Sequence, residues 1–554
     1  MTNTVAKHIA ATLAAAGIDR FFLLTGGDQP LWIALEEAGI DQVLARSEAS
    51  AVYMADAYAQ TTGRVAVVYG QAGPGAANIA AALADPYWSK TPVLSITGGT
   101  ATSAERRTEY QELQTSGMFD AVTTTNVTLT DPDRIVDLLP RLIALAQTSG
   151  PVNLTVPKNL FAAPVRETAG ISIPVVEDRI HPDPAGVSRA VDQITSFERP
   201  LILAGTGAKR AEVGELVLRL AERLGAPIAL SPGGKGVVDE RQEQVVGVIG
   251  RYASTAANRI AEECDGLIVL GSRAGGLVTD GYRFSDPGHG VVHLDRDPDA
   301  LLGQVGGGIR LQTDLRSGLE ALLEQLDGEG SGPATAWLTH AQHARSDWRA
   351  TVEDLPATGP SGDLAPHALF PHLNRVADRI CVVADTGYMA AWSATLFEPQ
   401  GVGGFLRANG SLGWALPAAL GAQLGSDGRR VVCVTGDGGL GYHVGDLETA
   451  VRRGLAPIVL VLNNRSLAFE YHEQKYKWEG RVIPIVNDLS DIDHAQVAAA
   501  FGWAGHRVND LASFTAGLDE ALEDTSRPWL LDVIVDKDEF APVTNFDRFL
   551  ERRI

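Results

Sequence analysis

VTGDGGLGYHVGDLETA, residues 434–450, sets five glycines and three acidic side chains behind the apolar run VVCVTGDG of Val431–Gly438. A valine-rich run that stops at glycine reads as a buried parallel strand, Val431–Thr435, with Gly436, Asp437, Gly438 and Gly439 at its carboxyl end. Open α/β sheets bind ligands at that end, so Asp437 is expected to point into a crevice. A helical pattern then leads to a second apolar strand, Ile458–Leu462, which ends in Asn463 and Asn464, with 24 residues (439 to 462) between Gly438 and Asn463. That length suits the crossover between neighbouring parallel strands. A carboxylate and an amide oxygen then meet at two adjacent strand ends, a hard-oxygen set suited to Mg²⁺, which fills its remaining positions with water and phosphate. Glycines alongside let backbone N–H groups approach that phosphate. Asp, Asn and Gly are also the usual turn residues, so the spacing alone leaves a pair of ordinary strand-end turns open.

The rest of the chain has the same rhythm. Its 554 residues are enough for three or four domains of about 150 residues each. Short Val/Ile/Leu runs alternate with Ala- and Leu-rich helical patterns, the mark of parallel sheets covered on both faces. The expected fold class is α/β, three doubly wound parallel-sheet domains at 1–165, 187–330 and 366–540, with a C-terminal tail at 541–554. Strands are expected at Phe21–Leu24, Val65–Val68, Val93–Ile96 and Val152–Val156 in the first block. In the second they fall in Pro200–Gly207, Gly266–Gly271 and Val291–Asp295, and in the third in Cys381–Asp385, Val431–Thr435 and Ile458–Leu462. A proline-rich connection, Ala163 to Gly186, follows the first block, and the polar stretch from Asp327 to Pro366 reads as a linker with some helix.

Composition narrows the function classes. The net charge of −22 would repel nucleic acid and anionic membranes, and no basic stripe offsets it. The longest apolar runs fall far short of the ~20 residues that span a bilayer. Three scattered cysteines form no disulfide framework, and nothing at the start of the sequence reads as a secretion signal, so a cytoplasmic protein is expected. No Cys/His group has zinc spacing and no Gly-x-Ser-x-Gly elbow appears.

GDG, 24 residues and NN resemble the thiamine diphosphate motif, and the three-block order is similar to the pyrimidine-binding, central and diphosphate-binding domains of the acetolactate synthase and pyruvate decarboxylase superfamily. The resemblance covers nearly the whole chain. It implies that Asp437, the Asn464 side chain and the Ser466 carbonyl hold Mg²⁺, with Gly436, Gly438 and Gly439 near the diphosphate. It also implies a glutamate in the first block, and RSEASAVYMADAYAQTTG at Arg46–Gly63 supplies Glu48. In such enzymes that carboxyl exchanges a proton with the aminopyrimidine ring and so activates the thiazolium carbon. Read on its own, a Glu in the first turn of a helix is only a favourable charge. The family often has Arg-His-Glu here, whereas this chain has Arg46-Ser47-Glu48, so the histidine's role is missing.

Other positions follow from the same resemblance. Within RANGSLGWALPAALGA, residues 407–422, Leu412 stands where a bulky apolar residue supports the bent cofactor and Gly410 where a carbonyl meets its 4′ amine. Gly387 and Tyr388, in ADTGYMAAW, align with a diphosphate-contacting loop. Gln71, in YGQAGPGAANIAAAL, and Gln111, in EYQELQ, face the substrate; Gln71 can hydrogen-bond a carbonyl or carboxylate without titrating. The paired histidines of pyruvate decarboxylases are missing. Glu470, six residues past Asn464, has the spacing of a catalytic glutamate of those enzymes. In the second block Gly205-Thr206-Gly207 is only part of a dinucleotide fingerprint, and relatives hold FAD, ADP or nothing there; Asp295 and Asp297 could meet an adenosine ribose or simply end a strand.

The expected activity is therefore thiamine diphosphate- and Mg²⁺-dependent decarboxylation of a 2-oxo acid with carboligation, by a homodimer or homotetramer whose sites lie between subunits. Two other readings stand beside it. One is a 2-hydroxyacyl-CoA lyase or oxalyl-CoA decarboxylase acting on an acyl-CoA, and the other is a cofactor-binding relative without turnover.

Overall fold

The computed structural model describes residues 3–166, 170–174, 179–284, 290–303, 306–327, 335–426, 428–478 and 480–541. The expected C-terminal tail lies outside them except for Ala541. Three six-stranded sheets follow one another along the chain, and every strand pairing within them is parallel.

The first sheet contains β1 (Arg20–Leu23), β2 (Asp41–Leu44), β3 (Ala66–Gly70), β4 (Val93–Gly99), β5 (Thr125–Thr128) and β6 (Val152–Pro157), in the order β2-β1-β3-β4-β6-β5. The second contains β7 (Pro200–Ala204), β8 (Ile228–Leu230), β9 (Val245–Val248), β10 (Gly266–Leu270), β11 (Gly290–Asp295) and β12 (Gly308–Gln312), in the order β12-β11-β10-β7-β8-β9. The third contains β13 (Ile380–Ala384), β14 (Phe405–Arg407), β15 (Arg430–Gly436), β16 (Ile458–Asn463), β17 (Ala504–Val508) and β18 (Trp529–Ile534), in the order β14-β13-β15-β16-β18-β17. The first and third sheets thus share one strand order. The second has the 3-2-1-4-5-6 order of dinucleotide-binding folds.

Interior strands such as β3, β13 and β16 are buried at every residue, which is why they read as unbroken apolar runs. The polar stretch after the second sheet, expected as a linker with some helix, contains one long helix, Thr335–Glu353. That helix is pinned by its own side chains. The Trp337 indole donates to the Pro200 carbonyl (2.9 Å), and Arg345 donates to the Gln242 carbonyl (2.8 Å) and to Glu398 (3.2 Å).

One apolar core runs from the first sheet into the third, combining Ala51–Ala59 with Trp414–Leu420, Ala422 and Val459. The two helices at its centre are Glu48–Thr62 and Ala415–Gly425. Their backbones touch at Gly421, where a Cβ would lie 2.0 Å from the Met54 carbonyl oxygen. Ser47 caps the first helix by accepting the Ser50 N–H (3.0 Å), and Gly63 ends it at φ +68°, a left-handed conformation suited to glycine.

Candidate functional site

β15 and β16 lie side by side, with Gly436 opposite Leu462, so the two motifs found in the sequence emerge at neighbouring strand ends. Asp437 opens the helix Asp437–His443 and is buried. Its Oδ1 accepts the Gly438 N–H (3.0 Å), while Oδ2 is buried with no hydrogen-bond partner among the described residues. Burial pushes this carboxyl up to about 6, although the backbone N–H groups of Gly438 and Arg465 pull it down. Asn464 is buried beside it and accepts the Ser466 N–H (3.0 Å). Arg465, between Asn464 and Ser466, has φ +59° and pairs with Asp363. An orphaned carboxylate oxygen beside an amide oxygen and a bent loop of carbonyls is a donor set that fits Mg²⁺.

The glycines near it do different work. A Cβ at Gly387 (φ +81°), Gly410 (φ +145°) or Gly436 would meet nothing within 4 Å, so these three border open space, Gly387 and Gly436 at strand ends that could take a diphosphate and Gly410 on the loop that carries Leu412. Gly439 serves packing instead: a Cβ there would meet the Asp385 carboxylate at 2.5 Å and Thr435 Oγ1 at 2.6 Å. Gly438 faces the side chain of Leu467 (2.8 Å). Leu412 is 48% exposed, an unusual place for a leucine on a loop otherwise tied down, and Gly413 behind it packs on Tyr442 and the Gly439 carbonyl. Tyr388 is buried with its phenol on His472 Nδ1 (2.5 Å), so any contact with a diphosphate would fall to its backbone N–H at the start of the helix Tyr388–Leu396. Glu470 is exposed on the helix Ala468–Lys477, whereas its neighbours Tyr471 and His472 are buried.

The first unit brings its own candidates together. The Glu48 carboxylate accepts the Asn78 amide (3.0 Å) and lies 3.0 Å from where a Cβ on Gly75 would stand. Gln71 Cβ borders the same point at 3.4 Å, and the Gln71 amide donates to the Gln111 side chain (3.1 Å). Gln111 sits at φ +62° against Gly73, whose missing Cβ leaves room for its carbonyl. Glu48, Gln71 and Gln111 thus form one polar cluster around Gly73–Gly75.

Several residues were not found by sequence reasoning. Asn78 holds Glu48. Asp28 is buried, accepts the Tyr69 phenol and has its carboxyl raised by burial, and its loop packs on Gln71. Asp385 is buried, accepts Thr435 Oγ1 (2.7 Å) and is pushed up to about 6 by burial. For Asp28 and Asp385 the signal was an acid following an apolar run, whereas Asn78 sits inside the helix Pro74–Ala82 with no such mark. In the second unit, Asp297 pairs with Lys90 (3.6 Å) and Asp295 accepts the Asp297 N–H (2.9 Å), so these carboxylates already have protein partners.

Three family models match the chain: the N-terminal TPP binding domain of thiamine pyrophosphate enzymes over residues 3–118, their central domain over 187–322, and their C-terminal TPP binding domain over 385–533. A probable acetolactate synthase large subunit of Methanocaldococcus jannaschii is 27% identical, with 97% of this chain and 93% of that protein aligned. The acetolactate synthase isozyme 2 large subunit of Escherichia coli is 28% identical over 96% of this chain and 95% of its own length. A putative thiamine pyrophosphate-containing protein, YdaP, of Bacillus subtilis is 29% identical over 96% and 92%. No helix among the described residues is long and apolar enough to cross a membrane.

Proposed function

We propose that this chain, which belongs to the thiamine pyrophosphate enzyme family and aligns over most of its length with proteins named acetolactate synthase, decarboxylates a 2-oxo acid and joins the remaining acyl unit to an acceptor carbonyl. The observation that carries the reading is the pair of half-sites: a buried Asp437 oxygen, unpartnered among the described residues, beside Asn464, and a Glu48 carboxylate held by the Asn78 amide near the hydrogen-bonded Gln71–Gln111 pair. Thiamine diphosphate supplies a nucleophilic carbon able to add to a carbonyl and hold the electron pair left by CO₂.

The chain's residues have separable tasks. Asp437, Asn464 and the Ser466 carbonyl would hold Mg²⁺ and with it the diphosphate, beside Gly387 and Gly436. Leu412, exposed on its loop, would support the ring system. Glu48 keeps a proton in play at the aminopyrimidine, and Asn78 fixes its carboxylate. Gln71 and Gln111 bind the substrate's carboxylate or carbonyl as donors that stay neutral across the working pH range. Glu470, exposed on its helix, would act as a proton donor or acceptor for the reacting substrate. The central unit acts as a scaffold, and any FAD or ADP it held would have no redox role, since decarboxylation with carboligation moves no net electrons.

The two half-sites meet between subunits. Leu412, Tyr442, Leu467 and Ile485 are exposed apolar side chains in the third unit, and Tyr110 and Leu113 are exposed beside Gln111 in the first. Such rims suit a second copy of this chain, a homodimer or a dimer of dimers, with an obligate interface of over ~2,000 Å². Supplying a panel of 2-oxo acids, singly and in pairs, and measuring CO₂ and ligated product tests the reading. Release of CO₂ with a hydroxy-ketone product supports it. Turnover of a 2-hydroxyacyl- or oxalyl-CoA with none of the free 2-oxo acids would replace it.

A further inference from the structure

The loop that carries Gly410 and Leu412 is held by the first unit of the same chain. Asp85, in the helix Ala84–Ser89, is 2% exposed, and its carboxylate accepts the backbone N–H groups of both Asn409 and Ser411, the latter at 3.1 Å. One carboxylate taking the N–H groups of residues i and i+2 leaves residue i+1 as the apex, and that residue is Gly410 at φ +145°. The Tyr53 phenol bonds the Ser411 side chain, and Asp56, fully buried, accepts the Trp414 indole N–H (3.1 Å). Tyr53 and Asp56 lie on the helix Glu48–Thr62. On its other side the loop is held by Asp385, which receives the N–H groups of Gly413 and Ala415. The loop therefore has no conformation of its own to fall back on. Its two glycines, Gly410 and Gly413 (φ +77°), would leave it flexible, and buried carboxylates fix it.

We propose that Asp85, assisted by Tyr53, is a positioning residue that presents Gly410 and Leu412 to the cofactor's ring system. The first α/β unit then shapes the cofactor site on the third unit of its own chain, in addition to lending Glu48 to a site. The inference rests on the cofactor placement proposed above. It makes a selective demand: disturbing Asp85 weakens the hold on the ring system and spares the hold on the diphosphate, because Asp437 and Asn464 have no bond to Asp85.

Calorimetric titration of the cofactor-free protein with Mg²⁺ and thiamine diphosphate, and separately with Mg²⁺ and inorganic pyrophosphate, separates the two. Asp85→Asn keeps the shape but offers one acceptor oxygen and turns an NH₂ toward the second N–H. It should lose about tenfold or more in thiamine diphosphate affinity, with pyrophosphate affinity unchanged. Hydrogen exchange at the amides of Asn409 and Ser411 should accelerate in the same variant before any ligand is added. Tyr53→Phe, a milder change, should move thiamine diphosphate affinity in the same direction by about threefold and decides the matter if Asp85→Asn does not fold. Equal loss for both ligands, or unchanged affinity with unchanged exchange at 409 and 411, overturns the proposal. A wild type that binds pyrophosphate but not thiamine diphosphate would sink the cofactor placement instead, while the exchange rates still decide whether Asp85 holds the loop.

Discussion

Gly421→Ala is a change of one methyl group whose cost can be worked out from the helix crossing. The added Cβ would stand 2.0 Å from the Met54 carbonyl oxygen and 2.7 Å from Met54 C and Cα. All three are backbone atoms in the middle of the helix Glu48–Thr62, so no side-chain rotation relieves the clash. Restoring ordinary contact requires the helices to part by about 1.5 Å. Overpacking costs ~1–3 kcal/mol, and a clash with backbone atoms that no rotamer relieves belongs at the upper end, so after the ~1 kcal/mol that alanine's better helix propensity returns, a net loss of ~2 kcal/mol is expected. Gly441→Ala is the control: it is exposed, lies in the helix Asp437–His443, and has open space where the Cβ would go. Denaturant unfolding of the cofactor-free protein should show Gly421→Ala less stable and Gly441→Ala unchanged or slightly more stable. Thiamine diphosphate affinity should fall with the former, since the displaced helix carries Tyr53 and Asp56. Wild-type stability in Gly421→Ala would refute the account of how the first and third units dock.

Glu48→Gln can still accept from Asn78, so cofactor affinity should stay within a few-fold while turnover falls ~10²–10⁴-fold, as loss of a positioned proton carrier does; steady-state kinetics check this. Asp437→Ala and Asn464→Ala should each weaken Mg²⁺-dependent cofactor retention by more than about tenfold in calorimetry, because a charge-assisted or directed oxygen contact is lost. Asp56 is held up at about 7 by burial, so in the folded protein it keeps its proton between its unfolded value of 3.8 and about 7. A raised carboxyl costs stability as pH rises through that window. The stability difference between Asp56→Asn and wild type should therefore shift in the variant's favour from pH 4 to pH 7.5, as denaturant curves at each pH would record.

How far the sequence could be read depended on burial. The ten strands expected from apolar runs, among them β1, β3, β7, β10, β13 and β15, are all interior strands. Every edge strand was passed over: β2 (DQVL), β5 (TNVT), β9 (VVGV), β12 (GIRLQ), β14 (FLR) and β17 (AGHRV). Most of them carry polar or half-exposed residues and so break the apolar run, and the others are short or interrupted by glycine. Two interior strands were also passed over: β8 is only three residues long, and the apolar run of β18 (WLLDVI) is broken by Asp532. In the site, Asp437 and Asn464 were legible because two strand ends fix their spacing. Gln71 and Gln111 depended on a resemblance, and their hydrogen bond across 40 residues has no local signature. Asp85 and Asp56 were invisible for a similar reason. Their partners, Asn409, Ser411 and Trp414, lie more than 300 residues away in the chain, and nothing local to either acid marks it as buried.

The central claim is that Glu48 of one subunit and the Asp437–Asn464 socket of another complete one site, and mixed subunits test it most directly. Glu48→Gln and Asp437→Ala proteins, each inactive alone, are dissociated, mixed and reassembled with Mg²⁺ and thiamine diphosphate. A hybrid dimer then contains one site with both residues intact, so CO₂ release from a 2-oxo acid should return to at most about half the wild-type rate per hybrid. Hybrids that assemble yet stay inactive, or a wild type that is active as a monomer in sedimentation, would contradict the claim.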